Sequence, residues 1–80
     1  MNTYHVQYYG LLADRRGLAK ETIQHVADTP AALYQDLLKN YPLGLSQNNL
    51  RAAVNDEIVS WDHPLTDKDN IAFLPPMSGG

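Results

Sequence analysis

A single amphipathic helix, placed between predicted strands, most constrains how this chain can fold. Thr29 is suited to begin it, because its hydroxyl can accept a hydrogen bond from a free backbone N–H. Pro30 fits the first helical position, where its missing N–H costs nothing. The apolar residues that follow recur at helical spacing: Leu33, Leu37 and Tyr41, with Tyr34 and Leu38 beside them. Pro42 and Gly44 end the helix. Its one apolar stripe must pack on another element, most simply a sheet.

Strand-like segments surround this helix. They have strand composition and are bounded by turn residues: Thr3–Tyr9, Glu21–Val26, Leu50–Val54, Ile58–Trp61 and Ile71–Leu74. In the last segment the alternation predicts that Ile71 and Phe73 face the core and that Leu74 faces the other way. A short helical turn over Leu11–Gly17 joins the first two strands, which can pair as a loose hairpin. This order predicts an α+β fold, a small mixed sheet with one main helix packed across it.

The composition excludes several classes of protein. None of the 80 residues is cysteine, which excludes a disulfide scaffold, a thiolate zinc site, an iron–sulfur cluster and a catalytic thiol. Six basic residues against nine acidic ones give a net charge of -3, whereas nucleic-acid modules usually carry a basic face. The sequence shows no secretory leader and no apolar run of about 20 residues. We therefore expect a small cytoplasmic protein with no nucleic-acid or membrane partner.

Conventional catalytic and metal sites are not indicated. His5, His25 and His63 are far apart in the sequence, and histidines in such positions are typical of a surface or a sheet edge. Asp56 and Glu57 lie in a predicted turn, where neighbouring carboxylates usually face water. No glycine-rich loop ends in Lys-Ser or Lys-Thr, so the chain has no P-loop of its own. We expect no metal, no bound cofactor and no independent catalytic site.

The last residues form a distinctive pattern. Pro75–Pro76 is stiff and extended, so it directs the chain away from the body of the domain. Met77 and Ser78 follow, and then Gly79 and Gly80, which have no side chains and can thread a narrow channel. Four residues beyond the prolines span at most about 14 Å. This pattern predicts a domain over residues 1–74 and a flexible tail over 75–80. The tail is either an idle, frayed terminus or a segment that delivers its carboxyl group to a partner.

Three segments resemble a known family. Residues 52–55 read Ala-Ala-Val-Asn, residues 59–67 read Val-Ser-Trp-Asp-His-Pro-Leu-Thr-Asp, and residues 73–80 read Phe-Leu-Pro-Pro-Met-Ser-Gly-Gly. Together they resemble the small subunits of molybdopterin synthase, the MoaD family. The resemblance covers residues 50–80, and the first fifty residues fit the family's ubiquitin-like β-grasp layout without a distinctive motif. Many relatives have phenylalanine directly before Pro-Pro, where this chain has Leu74.

The resemblance implies a function as a sulfur carrier. An E1-like, MoeB-like adenylyltransferase would use ATP to adenylate Gly80, and a sulfur donor such as a cysteine desulfurase system would convert it to a thiocarboxylate. The tail would then enter the MoaE-like large subunit, in a heterotetrameric synthase. There it would donate sulfur to cyclic pyranopterin monophosphate and form the molybdopterin dithiolene of the molybdenum cofactor. The chain would be an enzyme only as this sulfur-donating subunit.

The resemblance also implies roles for individual residues. Gly80 would be the sulfur-carrying residue, and Gly79 would permit its close approach to the reaction partner. The expected partner contacts are in the segment before them: Leu74, Pro75, Pro76, Met77 and Ser78. Trp61 remains open between core and interface, since a large aromatic residue near the edge of a small domain serves in either place.

Three alternatives remain at this point. The first is a carrier that supplies sulfur to thiamine thiazole synthesis, with the same chemistry at Gly80. The second is a ubiquitin-like modifier that is joined to a target lysine through Gly80. The third is a β-grasp binding module with an idle tail. Pro-Pro before the last four residues favours the molybdopterin interpretation over the thiazole one.

Overall fold

The computed structural model describes residues 1–76, and Met77, Ser78, Gly79 and Gly80 lie outside the described residues. The described chain contains five strands, two α-helices and one 3-10 turn. In chain order these are β1 (Asn2–Tyr8), α1 (Leu11–Arg16), β2 (Lys20–His25), α2 (Pro30–Asn40), the 3-10 turn (Gln47–Asn49), β3 (Arg51–Val54), β4 (Glu57–Val59) and β5 (Asn70–Leu74).

The strands form one mixed sheet in the order β2-β1-β5-β3-β4. β1 and β5 lie side by side in parallel, with Tyr8 opposite Phe73, and all other neighbours are antiparallel. The predicted α+β fold, with a small mixed sheet and one main helix, is confirmed, as is the pairing of the first two strands. Because β1 and β5 are parallel neighbours, both end at the same edge of the sheet, and the segments that follow them start side by side.

α2 begins where the sequence predicts. The Thr29 side chain accepts a hydrogen bond from the backbone N–H of Ala32 at 3.1 Å, and Pro30 is the first helical residue. The helix ends at Asn40, one residue before the predicted Tyr41, which caps it in an extended conformation. Leu33, Tyr34 and Leu37 of the helix are buried. The helix therefore covers one face of the sheet with its apolar stripe.

The core lies between α2 and that covered face. Aromatic rings form its centre, with Tyr34 packed 5.1 Å from Phe73, centroid to centroid. Trp61 stacks on Phe73 at 5.9 Å and an interplanar angle of 8°, and its ring also lies 5.9 Å from that of Tyr34. Trp61 is partly buried against the core. The structure thus shows that Trp61 packs on the core, to which Leu65 also belongs, with 6% of its surface exposed.

Three predicted strands end earlier in the structure than in the sequence analysis, and β1 stops at Tyr8, one residue before the predicted Tyr9. Val26 lies beyond β2 and is 75% exposed, because the N–H of Ala27 turns back to donate to Nδ1 of His25. β4 ends at Val59, since the chain turns where the N–H of His63 donates to the carbonyl of Ser60. Between α2 and β3 the chain forms the 3-10 turn over Gln47–Asn49.

The short helix α1 is also confirmed. Gly17 caps it in the left-handed region with φ 86°, and its N–H donates to the carbonyl of Ala13 at 2.9 Å. Within residues 1–76, no helix is both long and apolar enough to span a bilayer.

Candidate functional site

The sheet has one face covered by α2 and one face that remains open. On β5, Ile71 and Phe73 point into the core and are 1% and 0% exposed, whereas Leu74 points to the open face and is half-buried. The predicted core positions of Ile71 and Phe73 are therefore confirmed. The alternation of side chains along β5 separates the residues that hold the fold from those that a partner can reach.

The open face carries an apolar strip across three strands and the end of β1. We define this open-face strip by the apolar residues that line one shallow depression there: Tyr9, Ala53, Ile58, Ala72 and Leu74. Tyr9 is 45% exposed and Ile58 is 56% exposed. Large apolar side chains in contact with water, gathered on one face of a small domain, are typical of a surface that binds another protein.

The strip continues to the point where the chain leaves the sheet. Pro75 is half-buried and Pro76 is exposed, and neither can donate a hydrogen bond to a neighbouring strand. A groove beside them is lined by the residues that meet at this edge: Tyr9, Gly10, Leu11, Leu45, Leu74, Pro75 and Pro76. Leu11 is 43% exposed in this groove. The C-terminal segment therefore begins inside an apolar surface.

The structure places three of the seven predicted site residues. Leu74 lies on the open-face strip, and Pro75 and Pro76 lie at its edge, so these three are brought together. The predicted sites at Met77, Ser78, Gly79 and Gly80 lie outside the described residues and stay predictions.

A polar cluster holds α1 against the sheet next to this groove. Arg16 donates to both carboxylate oxygens of Glu21, at 3.0 and 2.8 Å, and the Tyr8 hydroxyl donates to the same carboxylate at 2.6 Å. The guanidinium of Arg16 also lies 3.7 Å from the centre of the Tyr41 ring. Burial, and then the hydrogen bond to Glu21, raise the pKa of Tyr8 well above its usual value, so it stays protonated and donates. The bond of Arg16 to Glu21 raises the pKa of Arg16.

A second polar cluster joins the turn between β3 and β4 to the start of β5. Asp69 accepts hydrogen bonds from the N–H of Thr66 at 2.8 Å and from the side chain of Asn55 at 3.0 Å. Burial opposes ionisation of Asp69, but these hydrogen bonds together outweigh it and lower the pKa of its carboxyl group. The carboxylate holds two loops together at the end of β5 remote from the open groove, which is a structural role.

The histidines lie apart, as the sequence suggests. His25 Nε2 pairs with Asp36 Oδ2 at 2.7 Å, and His5 Nδ1 lies 3.0 Å from the hydroxyl of Thr22. Across residues 1–76, no group of three or more histidine, aspartate or glutamate side chains is arranged to hold a metal ion. The groove is lined by apolar side chains and backbone, and Gln7, Asp56 and Asn70 border the open-face strip, a mixture that suits protein contact.

Sequence reasoning missed part of this surface. It placed Tyr9 on a face with His5 and Gln7 but gave it no role, and it assigned none to Leu11 or Ile58. The available signal was Tyr9 itself, a large aromatic residue on the strand face opposite the core. Ile58 carried no comparable signal, because a three-residue edge strand is too short to show its alternation.

The fold and the open apolar face define a small ubiquitin-like β-grasp protein. Small archaeal modifier protein 1 of Haloferax volcanii shares this fold with a TM-score of 0.79, at 16% identity over 95% of this chain and 99% of that chain. Subunit 1 of the molybdopterin-converting factor of Helicobacter pylori, in a complex of subunits 1 and 2, has a TM-score of 0.70. The match is 25% identical over 98% of this chain and 99% of that one.

Sequence comparison gives the family. The chain belongs to the ThiS family, whose model matches residues 6–80. A curated relative, the molybdopterin synthase sulfur carrier subunit of Escherichia coli, strain K12, is 55% identical over 40 residues. That match covers 50% of this chain and 49% of the relative, about half the length of each.

Proposed function

We propose that this chain is a sulfur carrier and acts as the small subunit of a molybdopterin synthase. The observation that carries the proposal is the 55% identity over 40 residues to a relative named as the sulfur carrier subunit of that enzyme. The family match runs to residue 80 and so includes Gly79 and Gly80. The apolar groove that Pro75 and Pro76 line beside the open-face strip supports the proposal, since a partner could contact it.

The chemistry follows from the properties of a terminal carboxyl group. Such a group has a pKa near 3.5, is ionised at pH 7 and is a poor electrophile. The Gly80 carboxylate attacks the α-phosphorus of ATP, so that pyrophosphate leaves and an acyl-adenylate forms. A cysteine persulfide of the sulfur donor then adds to the acyl carbon and AMP leaves, which forms an acyl disulfide. A second thiol attacks the donor's sulfur atom of that disulfide, so that a disulfide forms on the donor side and the terminal group of the chain is released as a thiocarboxylate. We expect ATP to be bound by the partner adenylyltransferase and no cofactor to be bound by this chain.

The synthase step uses the nucleophilicity of sulfur. The thiocarboxylate sulfur is softer and more nucleophilic than the oxygen it replaced. It attacks a side-chain carbon of the cyclic pyranopterin monophosphate held by the large subunit, and an oxygen substituent of that carbon leaves. Two carriers act in turn, because a dithiolene contains two sulfur atoms. Hydrolysis of the resulting acyl–sulfur bond returns the Gly80 carboxylate and leaves sulfur on the pterin. Gly79 allows close approach because it has no side chain. All other groups that act on the pterin belong to the large subunit.

The open-face strip supports docking to the large subunit and to the adenylyltransferase. Leu74 is half-buried and Tyr9 and Ile58 are exposed, so a partner gains apolar contact there without unfolding anything. The related Helicobacter pylori structure is a complex of subunit 1 with subunit 2. We therefore propose a MoaE-like large subunit as the partner that receives the tail, with a MoeB-like adenylyltransferase and a cysteine desulfurase system upstream.

Intact mass tests the proposal directly. The chain is incubated with ATP, the adenylyltransferase and a sulfur source, and the exchange of one oxygen for one sulfur is measured. Oxidation of Met1 or Met77 adds nearly the same mass, so fragmentation must place the change on Gly80. A variant with one alanine added after Gly80 should not be converted, and a matched control with one alanine added before Met1 should be converted normally.

The outcomes distinguish the alternatives. A thiocarboxylate on Gly80 that is consumed when the large subunit and the pterin are added supports the whole proposal. A thiocarboxylate consumed instead in thiazole synthesis would make the chain a thiamine sulfur carrier. Adducts that survive denaturation and join Gly80 to lysine would make it a protein modifier. No change in the chain, with a control carrier converted in the same mixture, contradicts the sulfur-carrier proposal, as does conversion of the untrimmed extended variant.

A further inference from the structure

The C-terminal segment leaves the sheet against the corner between β1 and α1. β1 and β5 are parallel and end together, with Tyr8 opposite Phe73. After β1 the chain turns through Gly10 into α1, whereas after β5 it continues into Pro75. A Cβ atom built on Gly10 would lie 3.4 Å from Cγ of Pro75. The proline ring therefore lies against the backbone of this corner.

Packing, rather than hydrogen bonding, fixes the direction in which the chain leaves β5. Pro75 has no N–H, so it cannot extend the β1–β5 ladder as a donor beyond Leu74. Its direction therefore depends on the surface that its ring contacts. At Gly10 that surface is bare backbone, because the residue has no side chain. A larger residue at position 10 would occupy the space between the corner and the proline ring.

The backbone at Gly10 also favours glycine, and the corner is stiff. Its φ of 55° and ψ of -129° form a combination that residues with a Cβ rarely adopt. At the other end of α1, Arg16 is held by Glu21, and Arg15 donates to the carbonyl of Leu43 at 3.3 Å. These contacts fix α1 from its C-terminal end, so the corner cannot move aside easily when the space at Gly10 is filled.

We propose that the corner at Gly10 guides the C-terminal segment: it sets the direction in which the chain runs through Pro75 and Pro76 as it leaves the sheet. Gly10 is then a positioning residue for delivery of the Gly80 carboxyl group to a partner's reaction site. The direction is a property of this chain alone, while its effect on sulfur transfer rests on the proposed function. Misplacing a reacting group by about 1 Å can slow a reaction about 100-fold.

Energy transfer measures the direction without any partner. The chain has one tryptophan and no cysteine, so Trp61 is the only tryptophan donor and S78C can carry the only acceptor label. The distance distribution is compared for Gly10→Ala and Gly10→Leu, with Gly17→Ala and Gly17→Leu as matched controls. Gly17 lies at the other end of α1 with φ 86°, and a Cβ there meets nothing within 4 Å. Both series place a side chain on a glycine with positive φ, but only the side chains at position 10 can contact Pro75.

We expect the distance distribution to shift for Gly10→Leu and to stay close to that of the parent for Gly10→Ala, whose methyl group would only come into ordinary contact with Pro75. At position 17 both variants should keep the parent distribution. Unfolding in urea should show that both series lose stability, so the shift cannot be attributed to strain alone. A parent-like distribution in folded Gly10→Leu would overturn the proposal. If Gly10→Leu does not fold, Gly10→Asn decides, because asparagine tolerates a positive φ better and its side chain extends beyond the Cβ position.

Kinetics of thiocarboxylate formation test the consequence for function, with Ser78 intact. For Gly10→Leu we expect kcat to fall on the order of tenfold at an unchanged KM for the carrier, since docking is kept and delivery is impaired. Gly17→Leu should keep both constants. A shifted distribution with unchanged kcat would overturn the positioning role. Failure of the parent chain to form a thiocarboxylate would contradict the proposed function instead, and the distance measurement would still decide whether the corner guides the segment.

Discussion

Replacing Leu74 by lysine tests whether the open-face strip binds a partner. Truncating a fully buried leucine lowers the free energy of unfolding by about 2–5 kcal/mol. Leu74 is only half-buried, and its outer side already faces water. A lysine can lay its aliphatic stem along the strip and extend its ammonium group to solvent. We therefore expect a loss of about 1 kcal/mol in the free energy of unfolding.

The loss in binding should be larger. In a docked complex the ammonium group would lose water at an apolar interface, which costs free energy. Changing a residue at the centre of an interface weakens the binding free energy by about 2 kcal/mol or more, which raises Kd about 30-fold. The affinity for the large subunit is measured by titration calorimetry, and the free energy of unfolding is measured in urea.

A matched control is available at the other end of the sheet. Val26 is 75% exposed and follows β2 at the edge remote from Pro75. Val26→Lys should leave both affinity and stability within about 0.5 kcal/mol of the parent. If Leu74→Lys lost as much stability as affinity, Leu74 would belong to the core. If it bound the large subunit as tightly as the parent, the strip would not be the docking surface.

Three further predictions concern the polar contacts that hold the fold. Thr29→Ala should lower the free energy of unfolding by about 1 kcal/mol, because the first turn of α2 loses its cap, and an unchanged urea midpoint would contradict this. Glu21→Gln should lower the pKa of Tyr8 toward its usual value of about 10, measured by ultraviolet titration of tyrosine, since an uncharged partner no longer opposes the phenolate. Because Tyr8 has a raised pKa in the folded chain, its contribution to stability is complete below pH 10 and is lost as the pH rises further; a Tyr8→Phe variant should lose less stability there than the parent. Asp69 has a lowered pKa, so its contribution is present above about pH 4 and is lost as the pH falls through the folded value. Asp69→Asn should show a shallower fall in stability between pH 4 and 2, and a fall as steep as that of the parent would argue against this account.

Local sequence signals predicted most of the fold because each depends on neighbours along the chain. The Thr29 hydroxyl and Pro30 specify the start of α2 from within one turn, and the alternation in β5 separates Phe73 from Leu74 over consecutive residues. Predictions failed where a distant group decides the outcome. Trp61 was assigned to a strand, and it instead turns inward to stack on Phe73, twelve positions along the chain in β5.

Part of the candidate site could likewise be predicted from the sequence, and part of it could not. The Pro-Pro and Gly-Gly pattern and the resemblance to a family of sulfur carriers are visible in the sequence. Tyr9, Leu11 and Ile58 gained a role only when the sheet brought them beside Leu74 and Pro75. Their separations in the sequence carry no signal, because pairing between strands that are far apart in the chain sets which side chains become neighbours.

The sequence by itself therefore determined the local elements and excluded some chemistry. Residue types alone exclude thiol and disulfide chemistry, and the resemblance of the last residues to a family of sulfur carriers favours a carrier function. The tertiary structure decides that β1 and β5 run parallel and end together, which places Gly10 against Pro75. That contact joins residues 65 positions apart. No local preference specifies it, because it arises only when the core closes and aligns the two central strands.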